Sequence, residues 1–144
     1  MGYGSLGHGL LTGAFTAATT FDPARDWRGN GVAFGQPIFR SENFKTNVGV
    51  VERVRREVAQ PRGVAVSQIA LAWVLGHPAI STALIGARTP AEVDANDAGA
   101  ELDLSADERA KIDGILAGVA GRVREFTPLR PAMEPWGQEI PAGR

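Results

Sequence analysis

Leu84-Ile85-Gly86-Ala87-Arg88-Thr89-Pro90-Ala91-Glu92-Val93-Asp94-Ala95-Asn96 is the stretch whose reading decides the fold. It leaves a short apolar run, Ala79 to Ile85, turns at Gly86 and restarts at Thr89. Thr89-Pro90-Ala91-Glu92 predicts a helix start: a threonine cap, proline at the first helical position and a glutamate that closes a capping box. The apolar run, ended by glycine, predicts a strand buried on both faces of a parallel sheet. A helix N-terminus gathers unpaired N–H groups and the positive end of the helix dipole. Arg88, just before it, adds a planar fork of donors, so the turn suits a phosphate. Such turns also occur without a ligand, with the arginine as a solvated surface charge. The phosphate reading gains weight from Tyr3-Gly4-Ser5-Leu6-Gly7-His8-Gly9-Leu10-Leu11-Thr12-Gly13. Its four glycines mark a loop where the backbone bends sharply or approaches something closely.

Outward from these two segments, the chain reads as alternating strand and helix. Only Met1 and Gly2 precede the glycine loop, so its strand is cut short. Phe15 to Phe39 shows no period and is expected to be a long functional or mobile excursion. Ser41 is expected to cap a helix to about Gln60, with Phe44, Val48, Val51, Val54 and Val58 on one stripe. Pro61 to Gly63 break it, and a second helix is expected from about Ser67 to Leu75, with Trp73 on its apolar side. The helix after Thr89 is expected to end near Ala98. Ser105-Ala106-Asp107-Glu108 is a second capping box, opening a helix with Ile112, Ile115, Leu116 and Val119 on one face. Pro128, Pro131, Pro135 and Pro141 make residues 121–144 an extended tail. This grammar is that of an α/β protein with two parallel strands, about four helices and a tail. Two parallel strands cannot shield both faces of a sheet, so the missing part is expected from a longer gene product or a complementing chain, with self-association as a further possibility.

Composition narrows the function classes. A chain of 144 residues fits one domain, and 44% hydrophobic with 22% charged residues is globular composition. A net charge of −1 argues against nucleic acid or an anionic membrane as the main partner. The chain has no cysteine, which excludes disulfides, thiolate catalysis and zinc–thiolate sites, and two histidines make a histidine-rich metal site improbable. No signal peptide or membrane span is evident, so the cytoplasm is the expected compartment.

The order of these segments resembles the aldo-keto reductase family. Residues 3–13 are similar to the family's loop after the seventh barrel strand. Asp26-Trp27-Arg28, then Ile38-Phe39-Arg40-Ser41-Glu42-Asn43-Phe44 and Asn47, resemble the following loop and helix start. Gln68 to Leu75 resembles the helix before the last strand, and Ile85 through Asn96 the last strand and cofactor helix. The resemblance covers about residues 3–118 and implies the C-terminal part of a (β/α)8 TIM barrel, with residues 1–120 as the partial barrel. It implies hydride transfer from NADPH to a small aldehyde or ketone, with active sites at the C-terminal ends of the strands. The family's catalytic tyrosine, lysine, aspartate and histidine have no counterpart here, so no catalytic residue carries over.

What carries over is a set of cofactor contacts. The resemblance implies Tyr3 as the nicotinamide platform. It implies Gly4, Ser5 and Leu6 along the pyrophosphate, Gly86, Ala87 and Arg88 at the 2′-phosphate of NADP(H), Glu92 beside them, and Asn96 at the adenine. Gly4 stands where the family usually has serine, Glu92 where this branch often has glutamine, and Ala95 where a glutamate is usual. A carboxylate near a phosphate is unfavourable, and the main task expected of Glu92 is to close its capping box. His8 is expected to be a surface residue and His77 a turn residue. The alternative to an enzyme part is a catalytically inactive truncated remnant that acts as a nucleotide-binding or interaction module. Met1 stands where the family has an ordinary strand residue, which fits an internal start or an engineered boundary.

Overall fold

The computed structural model describes residues 1–119. The proline-rich segment 121–144, with its expected extended course, lies outside the described residues. Four α-helices carry the fold: α1 (Ser41–Val54), α2 (Val66–Leu75), α3 (Pro90–Ala100) and α4 (Ala106–Leu116). The predicted stripe of α1 is buried throughout, from Phe44 to Val58. Past Val54 the rod continues through a wider π turn, Arg55–Ala59, and a 3-10 turn, Gln60–Arg62. It stops at Gly63, whose φ of 67° is the left-handed conformation that suits glycine.

Ser41 does not cap α1. The N-cap is Arg40, whose carbonyl already accepts the Phe44 N–H at 2.7 Å, and the Ser41 hydroxyl turns to Glu42 instead. The preceding segment is held by two carboxamides of α1: Asn43 Nδ2 donates to the Pro37 carbonyl at 2.8 Å and Asn47 Nδ2 to the Ile38 carbonyl at 3.1 Å. Nor is the excursion from Phe15 to Phe39 an unpacked loop. Phe15, Phe21 and Phe39 join Phe44 of α1 in one aromatic cluster, with ring centroids 5.2–6.0 Å apart. Aromatic pairs at this spacing gain about 0.5–1.5 kcal/mol beyond their buried area, which offsets the lack of regular hydrogen bonding.

Helix α2 is apolar on most of its circumference. Ile69, Ala70, Leu71 and Ala72 are all buried, so it sits inside the fold. It packs against α3, and the approach is close because Gly99 has no side chain: a methyl there would lie 3.0 Å from the Gln68 Cα. Gln68 fastens the pair, accepting from the Ala65 N–H and donating to the Ala95 carbonyl. On the other side, Ile112 and Ile115 bury the stripe of α4, and Trp73 Nε1 donates to Asp113 at 2.8 Å. The Ser105 capping box forms as predicted: Ser105 Oγ accepts from the Glu108 N–H while the Glu108 carboxylate accepts from the Ser105 N–H.

The two predicted strands are where sequence and structure part. Their parallel pairing is present but reduced to one bridge, Gly2 to Ala83. The Gly2 N–H donates to Thr82 at 2.7 Å, and the Leu84 N–H donates back to Gly2 at 2.8 Å. No strand longer than a bridge forms among the described residues. The double burial expected of residues 79–85 is also absent, since Leu84 is 42% and Ile85 40% exposed. The physical reason is the shortness of the partner: two residues before Tyr3 offer one register position. A parallel strand needs neighbours on its edges and helices on both faces before an apolar run is covered.

Candidate functional site

Both ends of that single bridge open into one cavity of about 870 Å³. Pockets of about 300–1,000 Å³ are the size that takes small-molecule ligands and cofactors. All nine residues singled out from the sequence line it: Tyr3, Gly4, Ser5 and Leu6 on one wall, and Gly86, Ala87, Arg88, Glu92 and Asn96 on the other. The walls are built differently. The first is a glycine loop whose backbone is left-handed at Gly4, Gly7, Gly9 and Gly13. At Gly4 (φ 69°) a side chain would also come 3.3 Å from the Phe34 ring, so the loop and Phe34 approach only because the residue is glycine. The second wall is the N-terminus of α3, placed by the α2 contact at Gly99.

Ser5 is buried and its hydroxyl donates to the Gly2 carbonyl at 3.2 Å, so it braces the loop. Tyr3 is 72% exposed, and its ring meets Phe34 edge-on at 5.5 Å. Asn96 is buried at the opposite end, and no described residue hydrogen-bonds its amide. Thr89 caps α3 by accepting from the Glu92 N–H at 3.2 Å, but the box does not close as predicted. The Glu92 carboxylate reaches one residue further. It accepts from the Arg88 backbone N–H at 2.7 Å and from Arg88 Nη2 at 2.8 Å. The Arg88 guanidinium, then its backbone N–H, hold the Glu92 carboxyl below the ordinary glutamate value. The same pairing raises Arg88.

Arg28 and His8 are among the lining residues that were not assigned to the site from the sequence. Arg28 Nη1 donates to the His8 carbonyl at 3.0 Å, its other nitrogens grip the Asp26 carboxylate, and its guanidinium lies over the Phe15 and Phe21 rings. The arginine therefore ties the aromatic excursion to the glycine loop at His8, a non-glycine residue held at φ 56°. Asp26, the N-cap of the turn Trp27–Asn30, is driven further toward its ionised form by those bonds. His8 itself is not a surface residue. Its imidazole sits between Trp27 (4.9 Å) and Phe34 (4.7 Å), and its buried Nε2 has no hydrogen-bond partner. Burial, then the Arg28 charge, push its pKa below the ordinary histidine value. The Asp-x-Arg spacing inside an aromatic-rich stretch was a readable sign of Arg28; nothing local marked His8.

Among the described residues no cluster of three His, Asp or Glu side chains is placed to hold a metal ion. No described helix is long and apolar enough to cross a membrane. A family model described as the Aldo/keto reductase family matches residues 1–117. Aldo-keto reductase YhdN of Bacillus subtilis (strain 168) is 31% identical over 79% of this chain and 33% of its own length. L-glyceraldehyde 3-phosphate reductase of Escherichia coli (strain K12) is 32% identical over 78% of this chain and 32% of its own. The solved glycerol dehydrogenase AKR11B4 from Gluconobacter oxydans superposes with a TM-score of 0.71 at 32% identity, covering 87% of this chain and 36% of that one. The chain thus spans about a third of the length of these relatives, and its fold corresponds to a piece of their barrel.

Proposed function

This chain belongs to the aldo/keto reductase family, and from that premise we propose that it forms the dinucleotide-binding corner of a carbonyl reductase. The observation that carries the reading is the convergence of two distant segments, the opening glycine loop and the turn before α3, on one cavity. The cofactor would be a nicotinamide dinucleotide, NADP(H) on the resemblance, and when bound it supplies the hydride.

The residues present fit such a group. Left-handed Gly4 and Gly9 bring the backbone of the first wall to the cavity, and the N-terminus of α3 offers an anion-binding element on the second. Tyr3 presents a ring braced edge-on by Phe34, a surface on which a flat heteroaromatic ring can rest. The Asn96 amide, with both donors and acceptors and no hydrogen-bond partner among the described residues, lines the cavity and suits a nucleobase edge. The proton for carbonyl reduction would come from residues outside this set, and the substrate would be an aldehyde or ketone that reaches the Tyr3 end.

Exposure of Met1, Leu84 and Ile85 around the Gly2–Ala83 bridge favours a second reading for the same surface: further strands, or a second copy, cover it. Light scattering across a concentration series reads that directly, and a monomer at every concentration would remove self-association. For the dinucleotide site, the measurement is isothermal calorimetry of the chain with NAD⁺ and with NADP⁺. Saturable heat that Asn96→Ala weakens by about tenfold, the equivalent of one lost hydrogen bond of about 1.4 kcal/mol, supports the proposal. The absence of heat with either nucleotide refutes it.

A further inference from the structure

The described residues that line the cavity include two arginines, and both are already neutralised. Arg28 is gripped by Asp26 through Nε and Nη2 and spends Nη1 on the His8 carbonyl. Arg88 is bound by Glu92, which also takes the Arg88 backbone N–H. Burial and the Arg28 charge disfavour the charged form of His8. The remaining polar lining, Ser5, Thr12, Ser67 and Asn96 with the loop N–H groups, is uncharged. The cavity therefore offers hydrogen bonds without an uncommitted positive charge, and Glu92 puts a carboxylate where an added anion would seek the arginine.

This matters for the choice between two nicotinamide dinucleotides, which differ by one phosphate. A phosphate monoester adds about −1.5 to −2 charges at pH 7. Binding it at Arg88 places it beside the Glu92 carboxylate, which holds Arg88 Nη2 and the Arg88 backbone N–H, so two anions would share one guanidinium. A ribose hydroxyl makes the opposite demand: it donates, and a carboxylate is the acceptor that Rossmann folds use for the unphosphorylated ribose. We propose that Glu92 sets the cofactor preference of this chain, turning the Arg88 corner away from the 2′-phosphate and toward NAD(H). The inference rests on the reading of the cavity as a dinucleotide site.

Calorimetric titration of the full chain with NAD⁺ and NADP⁺ tests it, in the native form and in Glu92→Gln and Glu92→Ser. Glutamine retains an oxygen for the Arg88 N–H, serine removes the carboxylate, and Thr89 caps α3 in all three proteins, whose thermal melts verify that α3 stays folded. The native chain is expected to bind NAD⁺ at least as tightly as NADP⁺. Both variants are expected to shift the ratio of the two dissociation constants toward NADP⁺ by about tenfold, the size of one screened charge contact near a protein surface. Tighter binding of NADP⁺ by the native chain, or a ratio that neither variant moves, overturns the role of Glu92 and leaves the dinucleotide site standing. No binding of either nucleotide by any of the three overturns the site, and this inference with it.

Discussion

Replacing glycine by alanine in three helices of this chain should give effects of opposite sign, and the structure fixes which is which. Alanine is favoured over glycine in a helix interior by about 0.5–1 kcal/mol, because glycine loses more backbone freedom on folding. At Gly49 in α1 and Gly114 in α4 a new methyl meets nothing within 4 Å, so the propensity gain stands alone. Each variant should be more stable by about 0.5–1 kcal/mol. At Gly99 in α3 the same methyl would lie 3.0 Å from the Gln68 Cα and 3.3 Å from Leu71 Cδ1. The first of these neighbours is backbone and cannot rotate away. Overpacking of this kind costs about 1–3 kcal/mol, which exceeds the gain, so Gly99→Ala should lose about 0.5–2 kcal/mol. Equilibrium urea unfolding reads all three as midpoint shifts at constant slope. Because α3 must move off α2 to admit the methyl, Gly99→Ala should also weaken any nucleotide bound at the Arg88 corner, whereas the other two should not. A stabilised Gly99→Ala protein would refute the close approach of α2 and α3, and with it the way the second wall of the cavity is positioned.

Three further outcomes follow from individual side chains. Ser105→Ala removes the cap of α4 and should cost about 1 kcal/mol in urea unfolding; an unchanged midpoint would contradict the reciprocal Ser105–Glu108 bonds. The Glu108 carboxyl is held below its ordinary value of 4.5, first by the Ser105 N–H, then by the Ser105 hydroxyl and the Arg62 charge. A depressed folded value means the contribution is full above 4.5 and fades as pH falls through the folded value. The stability gap between the native chain and Glu108→Gln should therefore be widest near neutrality and shrink on acidification, and a gap that widens instead would count against the assignment. His8 should titrate by NMR with a midpoint below 6.5, since its imidazole is enclosed by Trp27, Phe34 and the Arg28 charge. A midpoint at or above that value would place the ring in water.

What could be read in the sequence was local and periodic. The stripe from Phe44 to Val58 recurs at helical spacing, and every member is buried. Ser105 and Glu108 sit at the offset that reciprocal capping requires, and they cap. The glycines of residues 3–13 announced left-handed backbone and all four adopt it. What failed depended on partners that no local pattern encodes. Ala79 to Ile85 has the composition of an interior strand, but burial comes from neighbouring strands and helices, and here one bridge is all that pairs with it. His8 was expected at the surface, whereas its surroundings are set by Trp27 and Phe34 arriving from a segment without period. Glu92 shows a smaller failure of the same kind. The capping-box spacing was right, yet Arg88, one position upstream of the cap, took one carboxylate oxygen with its guanidinium and the other with its backbone N–H.

These particulars also explain how a cavity of this size holds its shape without a sheet. In an extended parallel sheet, adjacent strands would fix the distance between the two walls. Here that duty passes to α1 and α2. The glycine loop is anchored to the α1 rod, where Arg55 Nη2 donates to the Gly13 carbonyl at 2.5 Å; any side chain at Gly13 would overlap that guanidinium and crowd Val66 at 2.7 Å. The Arg88 corner is anchored to α2 through Gly99 and Gln68. The described residues join the walls directly only at Gly2 and Ala83, where two backbone hydrogen bonds contribute about 0.5–1.5 kcal/mol each. That link is short and lies at one edge of the cavity, so the separation of the walls is lightly braced there. A ligand that touches both would gain by closing it, and further strands docked along the Gly2–Ala83 edge would stiffen it. Affinity for a dinucleotide should therefore rise when that edge is covered, even if no new side chain reaches the ligand.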